Sequence, residues 1–312
     1  MAKKEYLFLL IFYSVFFSSF IPASLKAQII ADEAPKDRYY MRKARVTNFW
    51  EMKDFRDVFH VDKYMLGRNR FSGNFAYNWG RVLVYDDGRN VKYEFRNALS
   101  YFMRWRFYEE ISLNATFYAD FNKKAAARWI SDFTYSIGRY HWRPNKLNFG
   151  YENYQNNKYT DSPDVLAEKF MEGYVFLSYN VALPDVLSRA IRIDSTSSLR
   201  FSPLFRFAPR YRDEFEVVHY EGKPTAGITA RWTMFLNIYV EGGVYYYFTP
   251  QYRQLPWDPD YSYGFGYFDY RSFRLSLTYG NWAVNRWPGK EQKLKHYGFL
   301  DGNFRLVANW MW

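Results

Sequence analysis

From residue 70 onward the chain alternates apolar and polar side chains in short runs separated by turn-forming segments. Successive side chains on a strand point to opposite faces, so each run predicts a strand that is apolar on one face only. The clearest run is ISLNATFYADF. Ile111, Leu113, Ala115, Phe117, Ala119 and Phe121 share one face, opposed by Ser112, Asn114, Thr116, Tyr118 and Asp120. RSFRLSLTYGN repeats the pattern, with Phe273, Leu275, Leu277 and Tyr279 against Ser272, Arg274, Ser276 and Thr278. Strands are predicted near 70–82, 97–108, 111–121, 129–142, 145–155, 169–183, 197–208, 225–236, 237–248, 261–268, 271–282 and 303–312. A two-sheet sandwich also alternates in this way, so alternation by itself does not fix the architecture.

The connections discriminate. Short links fall at 109–110, 143–146, 236–237 and 269–270, and longer ones at 83–96, 122–128, 156–168, 209–224, 249–260 and 283–302. Such alternation of short and long links is what an up-and-down barrel with one short-turn rim and one long-loop rim requires. The exception is 184–196, PDVLSRAIRIDST, where the spacing of Val186, Leu187, Ala190 and Ile191 predicts a short amphipathic helix at the membrane surface. The predicted fold class is all-β: an antiparallel up-and-down transmembrane β-barrel of about 12 strands, within a range of roughly 10–14.

The first 28 residues, MAKKEYLFLLIFYSVFFSSFIPASLKAQ, join a basic start to an apolar run from Tyr6 to Phe20, then small residues with Ala27 as a cleavage position. That is the layout of a secretory signal peptide, too short and wrongly flanked for a spanning helix. Residues 29–69 are charge-dense and carry a helical stripe of Phe49, Met52, Phe55 and Val58. The expected organisation is a signal peptide at 1–28, a periplasmic or lumen-inserted segment at 29–69, and the barrel at 70–312.

Composition agrees with this picture. Aromatic residues make up 23% of the chain, more than one core of this size uses, and Tyr and Trp suit polar–apolar interfaces. The absence of cysteine excludes disulfides, thiolate metal sites and cysteine nucleophiles. The net charge of +11 falls to +9 without the leader's three lysines and one glutamate. With no nucleic-acid motif present, anionic lipid headgroups are the expected counterpart, and no nucleic-acid partner is.

Together, the leader, the aromatic-rich alternating strands and the terminal FRLVANWMW resemble a Gram-negative outer-membrane β-barrel protein, with a leader ending in KAQ like those of Bacteroidota exports. The resemblance implies the bacterial outer membrane as the location and its lipid as surroundings. It also implies that Phe304, Leu306, Trp310 and Trp312 form the signal read by the barrel-assembly machinery. It names no subfamily. Trp79, Trp105, Trp129, Trp142, Trp232, Trp282 and Trp310 are candidates for aromatic girdles.

If the apolar parity faces lipid, the opposite parity lines the lumen. That parity collects Arg70, Arg104, Arg106, Arg200, Arg206, Arg231, Arg274 and Arg305, with Asp120, Asp132, Glu152, Glu172 and Glu241. Arginine favours bidentate pairing with carboxylates, so these residues brace the lumen, or their excess forms an anion-preferring constriction. The inward aromatics Phe102, Tyr118, Tyr174, Phe176, Tyr245 and Tyr247 favour a filled lumen. Inward Ser262, Gly264 and Gly266 leave room for a close approach, by aromatic packing or by a ligand.

Catalytic chemistry has little support. The four histidines are His60, His141, His219 and His296, and none starts the His-x-Ser pattern of barrel phospholipases. Neither G-x-S-x-G nor H-E-x-x-H occurs, and Asp258 and Asp260 are more simply loop acids than calcium ligands. No catalytic residue, cofactor or metal is expected. The expected function is a non-catalytic accessory or scaffold component of an envelope transport or assembly system, contacting another envelope protein through residues 29–69. A passive channel for small anionic or sugar solutes and a lipid-modifying enzyme are the alternatives.

Overall fold

The computed structural model describes residues 71–311 apart from 87–89, 109, 122–129, 155–156, 195–196, 214–216, 251–252, 256–257, 272, 283–284 and 291–298. The leader and the segment 29–69 therefore lie outside the described residues, as do Arg70 and Trp312.

Fourteen strands are described. Twelve of them close into one antiparallel barrel. They are β1 (Phe71–Asp86), β2 (Asn90–Tyr108), β3 (Ile111–Asp120), β4 (Phe133–Arg139), β5 (Lys146–Asn153), β6 (Tyr174–Asn180), β7 (Ser198–Ala208), β10 (Lys223–Phe235), β11 (Ile238–Tyr247), β12 (Tyr261–Tyr267), β13 (Leu275–Asn281) and β14 (Asn303–Met311). Each of the predicted segments overlaps one of these strands, and β1, β2 and β10 extend beyond the predicted bounds. The ladder runs in chain order around the wall, and β14 pairs with β1, Ser72 opposite Met311 through Gly80 opposite Asn303. Closure leaves no free sheet edge, which is the condition for strands in a medium without water.

Burial is inverted relative to a water-soluble protein. Large apolar residues such as Leu113, Ile137, Val175, Leu177, Ile228, Val244 and Leu306 are exposed on the outside. The buried residues are mostly small and polar, among them Ser100, Ser112, Asn114, Thr134, Ser136, Asn180, Ser202 and Ser276. A sandwich would bring the apolar stripes together, whereas here they form the outer surface. This is the architecture of a membrane-spanning β-barrel. No described helix is long and apolar enough to cross a membrane.

The rims differ as the link lengths foretell, except that the expected long link 83–96 is mostly strand: β1 and β2 stay paired to Asp86 opposite Asn90. On the short-turn rim, β10 and β11 meet through Leu236 and Asn237, both with positive φ (46° and 64°), the pattern of a type I′ hairpin. The exceptional connection on that rim contains a short helix, α2 (Asp185–Ala190), with Val186 and Leu187 exposed. On the long-loop rim, a helix that periodicity did not signal, α1 (Pro163–Phe170), starts at Ser162, whose side chain caps the Val165 amide. A separate hairpin, β8 (Tyr211–Arg212) with β9 (Val218–His219), lies in the loop between β7 and β10.

Several long loops fold back over the outside of the wall. Phe170 stacks on Tyr151 and Tyr135, at 4.8 and 6.3 Å between centroids, and Phe299 stacks on Tyr263 at 4.8 Å. Tyr263 and Tyr279 donate to the Phe299 carbonyl at 2.8 and 2.6 Å. This overlay explains why Tyr279, on the outward parity, is almost fully buried.

Candidate functional site

The lumen wall carries the chemistry. One row of directly opposed residues crosses six neighbouring strands: Arg200, Arg231, Glu241, Gly264, Gly280 and Asn303. At one end two guanidinium groups face a single carboxylate. Arg231 pairs with Glu241 at 3.4 Å and lies 3.7 Å from the centre of the Tyr239 ring. Arg200 forms no ion pair or hydrogen bond among the described residues. Like charges directly opposite on paired strands are unfavourable, so this placement is not one that stability alone selects.

At the other end of the row the glycines make space. The Glu241 carboxylate lies over Gly264, 3.1 Å from where a β-carbon would sit. The Trp282 indole occupies the position a β-carbon on Gly280 would take. The result is a cavity of about 230 Å³ lined by Arg200, Arg231, Glu241, Thr229, Ser262, Tyr245 and Trp282, among others.

The remaining arginines divide. Arg206 is held between the rings of Tyr174 and Tyr245, at 4.9 and 5.9 Å, so this side of the lumen is filled. Arg104 donates from Nε to Asn114 at 2.8 Å and stacks near Phe102 and Tyr140, while Tyr140 donates to Glu152 at 3.2 Å. Asp120 is paired bidentately by Arg96, which the predicted start of its strand at residue 97 left out. Arg106 and Arg305 keep the lumen parity on β2 and β14.

Three expected lumen residues lie elsewhere because their strands are shorter than the alternation implies. Arg274 sits exposed in the turn before β13. Asp132 precedes β4 and accepts from the Tyr159 amide at 3.1 Å. Glu172 precedes β6, buried on the long-loop side, with Arg212 of the β8–β9 hairpin at 2.5 and 3.0 Å. Trp282 is corrected as well: it belongs to the cavity rather than to a girdle. Of the residues expected to form an assembly signal, Phe304 stacks on Trp79 at 5.6 Å, Leu306 is exposed and Trp310 stacks on Tyr101 at 6.2 Å. Asp258 pairs with Lys223, and Asp260 binds Lys290 at 2.8 Å and the Trp287 amide at 3.0 Å.

Two described histidines have acidic neighbours. His219 meets Asp213 at 2.9 Å in the exposed hairpin region. His141, at the short-turn rim, accepts from the Arg143 amide at Nδ1 (3.0 Å), which leaves its ring proton on Nε2, 3.2 Å from Glu110. Burial raises the Glu110 pKa, but contacts with His141 and Arg139 outweigh it and hold the carboxyl at about 2. This cluster also hangs on an asparagine network. Asn180 donates to the carbonyls of His141 and Arg143 at 2.6 and 3.0 Å and accepts from Ser202 at 2.9 Å. His60 and His296 lie outside the described residues. Among the described residues no three His, Cys, Asp or Glu are grouped to hold a metal ion.

No family model matches the chain, and no curated protein matches it. Among the solved barrels that align with it, two do so over 78% of its length. Salmonella typhi OmpF in complex with daunomycin gives a TM-score of 0.32 at 7% identity, with 98% of that chain covered. A triple mutant of the Rhodopseudomonas blastica porin gives 0.24 at 8% identity, with 99% covered. At such scores the likeness carries no argument about site or solute, and the fold assignment stands on the closed strand pairing alone.

Proposed function

We propose that the protein is an outer-membrane β-barrel that passes small anionic solutes through its lumen. The observation that carries this reading is the pair Arg200 and Arg231, directly opposed on the lumen face with a single carboxylate, Glu241, against their two charges. A positive ring in a low-dielectric wall lowers the barrier for anions and raises it for cations. Reconstitution in planar bilayers under a potassium chloride gradient tests it. The reversal potential should have the sign of chloride preference and move toward zero in Arg231→Gln. Cation preference, or no current, removes the reading.

A second reading is a non-catalytic accessory subunit. It is favoured by the filled side of the lumen, where Arg206 is clasped by Tyr174 and Tyr245. Under this reading the protein carries no current and purifies with a stable envelope partner, which the segment 29–69 contacts. The same bilayer recording separates the two.

A further inference from the structure

We infer that the cavity lined by β7, β10, β11, β12 and Trp282 just after β13 is a binding subsite for a small sugar that carries one anionic group, such as a carboxylate or a phosphate. The inference deepens the channel reading, on which it rests only for how the ligand reaches the cavity.

The charge arrangement calls for an anion. Arg200 and Arg231 face each other on paired strands, and one carboxylate, Glu241, stands against the two. Glu241 is engaged with Arg231, and the Arg200 guanidinium has no hydrogen-bond or ion-pair partner among the described residues. A ligand carboxylate or phosphate between the two guanidinium groups supplies the missing negative charge and relieves the repulsion across the strand pair.

The opposite wall calls for a ring bearing hydroxyls. Trp282 covers Gly280 because that residue has no side chain, its indole lines the cavity, and about 45% of its surface is exposed. An exposed indole is a stacking platform for the C–H face of a pyranose. Thr229 and Ser262 line the cavity, where the Ser262 hydroxyl meets that of Tyr245 at 3.2 Å, and Glu241 adds an acceptor. Polar groups of this kind pair with sugar hydroxyls and orient a ring whose anionic end is held at Arg200. The volume, about 230 Å³, accommodates a monosaccharide derivative.

Calorimetry and tryptophan fluorescence on the detergent-solubilised full-length protein test the subsite without requiring transport. The probes are glucuronate, glucose 6-phosphate, glucose and inorganic phosphate. Glucuronate and glucose 6-phosphate should bind at least tenfold more tightly than glucose or inorganic phosphate, and should change the fluorescence. Arg200→Gln should remove the advantage over glucose, and Trp282→Leu the advantage over inorganic phosphate, in protein whose heat-modifiable gel mobility shows a closed barrel. Equal binding of glucose overturns the anionic half, and equal binding of phosphate overturns the stacking half. Binding of none of the four overturns the whole. Selective binding in a protein that carries no current refutes the channel and leaves the subsite, whereas current without selective binding refutes the subsite and leaves the channel.

Discussion

Trp310 of the last barrel strand covers Gly73 of the first, its Cζ2 atom 2.7 Å from where a β-carbon on residue 73 would have to sit. The indole continues onto the Tyr101 ring of β2, 6.2 Å away and nearly parallel. On the lipid face of the seam between first and last strands one side chain thus spans three strands, and Phe304 stacked on Trp79 adds a second contact across it. An aromatic ring over a strand glycine restores the contact surface the glycine lacks.

Trp310→Ala should therefore weaken closure more than loss of an isolated girdle residue would. The expected cost is on the order of 1–3 kcal/mol in urea unfolding from lipid vesicles. Gly73→Val should be worse, because its β-carbon also meets the Phe102 carbonyl. Both variants should show a reduced fraction of the heat-modifiable folded band. Unchanged unfolding midpoints would show that the seam does not depend on this contact.

The wall was legible in the sequence because period-two alternation is enforced at every membrane-facing position, as in Ile111–Phe121. The element ends were not. Asp132, Glu172 and Arg274 keep the parity of the strands beside them, yet the hydrogen-bond ladders stop before reaching them. The guanidinium pair was half visible: parity put Arg200 and Arg231 on the lumen side, but only register sets them opposite each other. Trp282 shares the parity of Ser276 and Thr278, so the alternation already points it to the lumen, and residue type alone suggests a girdle. Gly280, two residues earlier on the same face, signals the space its ring occupies.

Asn180 should be among the least replaceable lumen residues. It is nearly fully buried and ties two carbonyls of the β4–β5 turn to Ser202 on β7. Asn180→Ala leaves those groups without partners, at roughly 2–4 kcal/mol if water does not enter. Urea titration should show the loss, and Asn180→Asp should not rescue it, since a carboxylate cannot donate to the two carbonyls.

The Glu110 cluster predicts a specific pH response. Its carboxyl is held at about 2 in the folded barrel, below the ordinary glutamate value near 4.3 in the unfolded chain. Its contribution is fully present above the unfolded value and is lost as pH falls from about 4.3 through about 2. Glu110→Gln should flatten the acid limb of stability in that window by at most about 3 kcal/mol and leave the slope above pH 6 unchanged. An identical acid limb in the variant would show that the cluster does not set it.

Arg206 should act as a filler rather than a selector. Its guanidinium lies between two tyrosine rings and projects little free charge into the lumen. Arg206→Ala should raise single-channel conductance with a smaller change in reversal potential than Arg231→Gln produces. The reverse ranking would place the selective ring at Arg206.

The account depends most on which face of each strand meets acyl chains, and the chain's lack of cysteine makes that directly measurable. Single cysteines at Leu113, Ile228 and Val244, and at their neighbours Asn114, Thr229 and Tyr245, are labelled with a small fluorophore and reconstituted with nitroxide-labelled lipid. The account predicts strong quenching at the first three positions and weak quenching at the other three. Equal quenching on both faces, or stronger quenching at Asn114, Thr229 and Tyr245, would contradict a membrane-spanning barrel with a polar lumen.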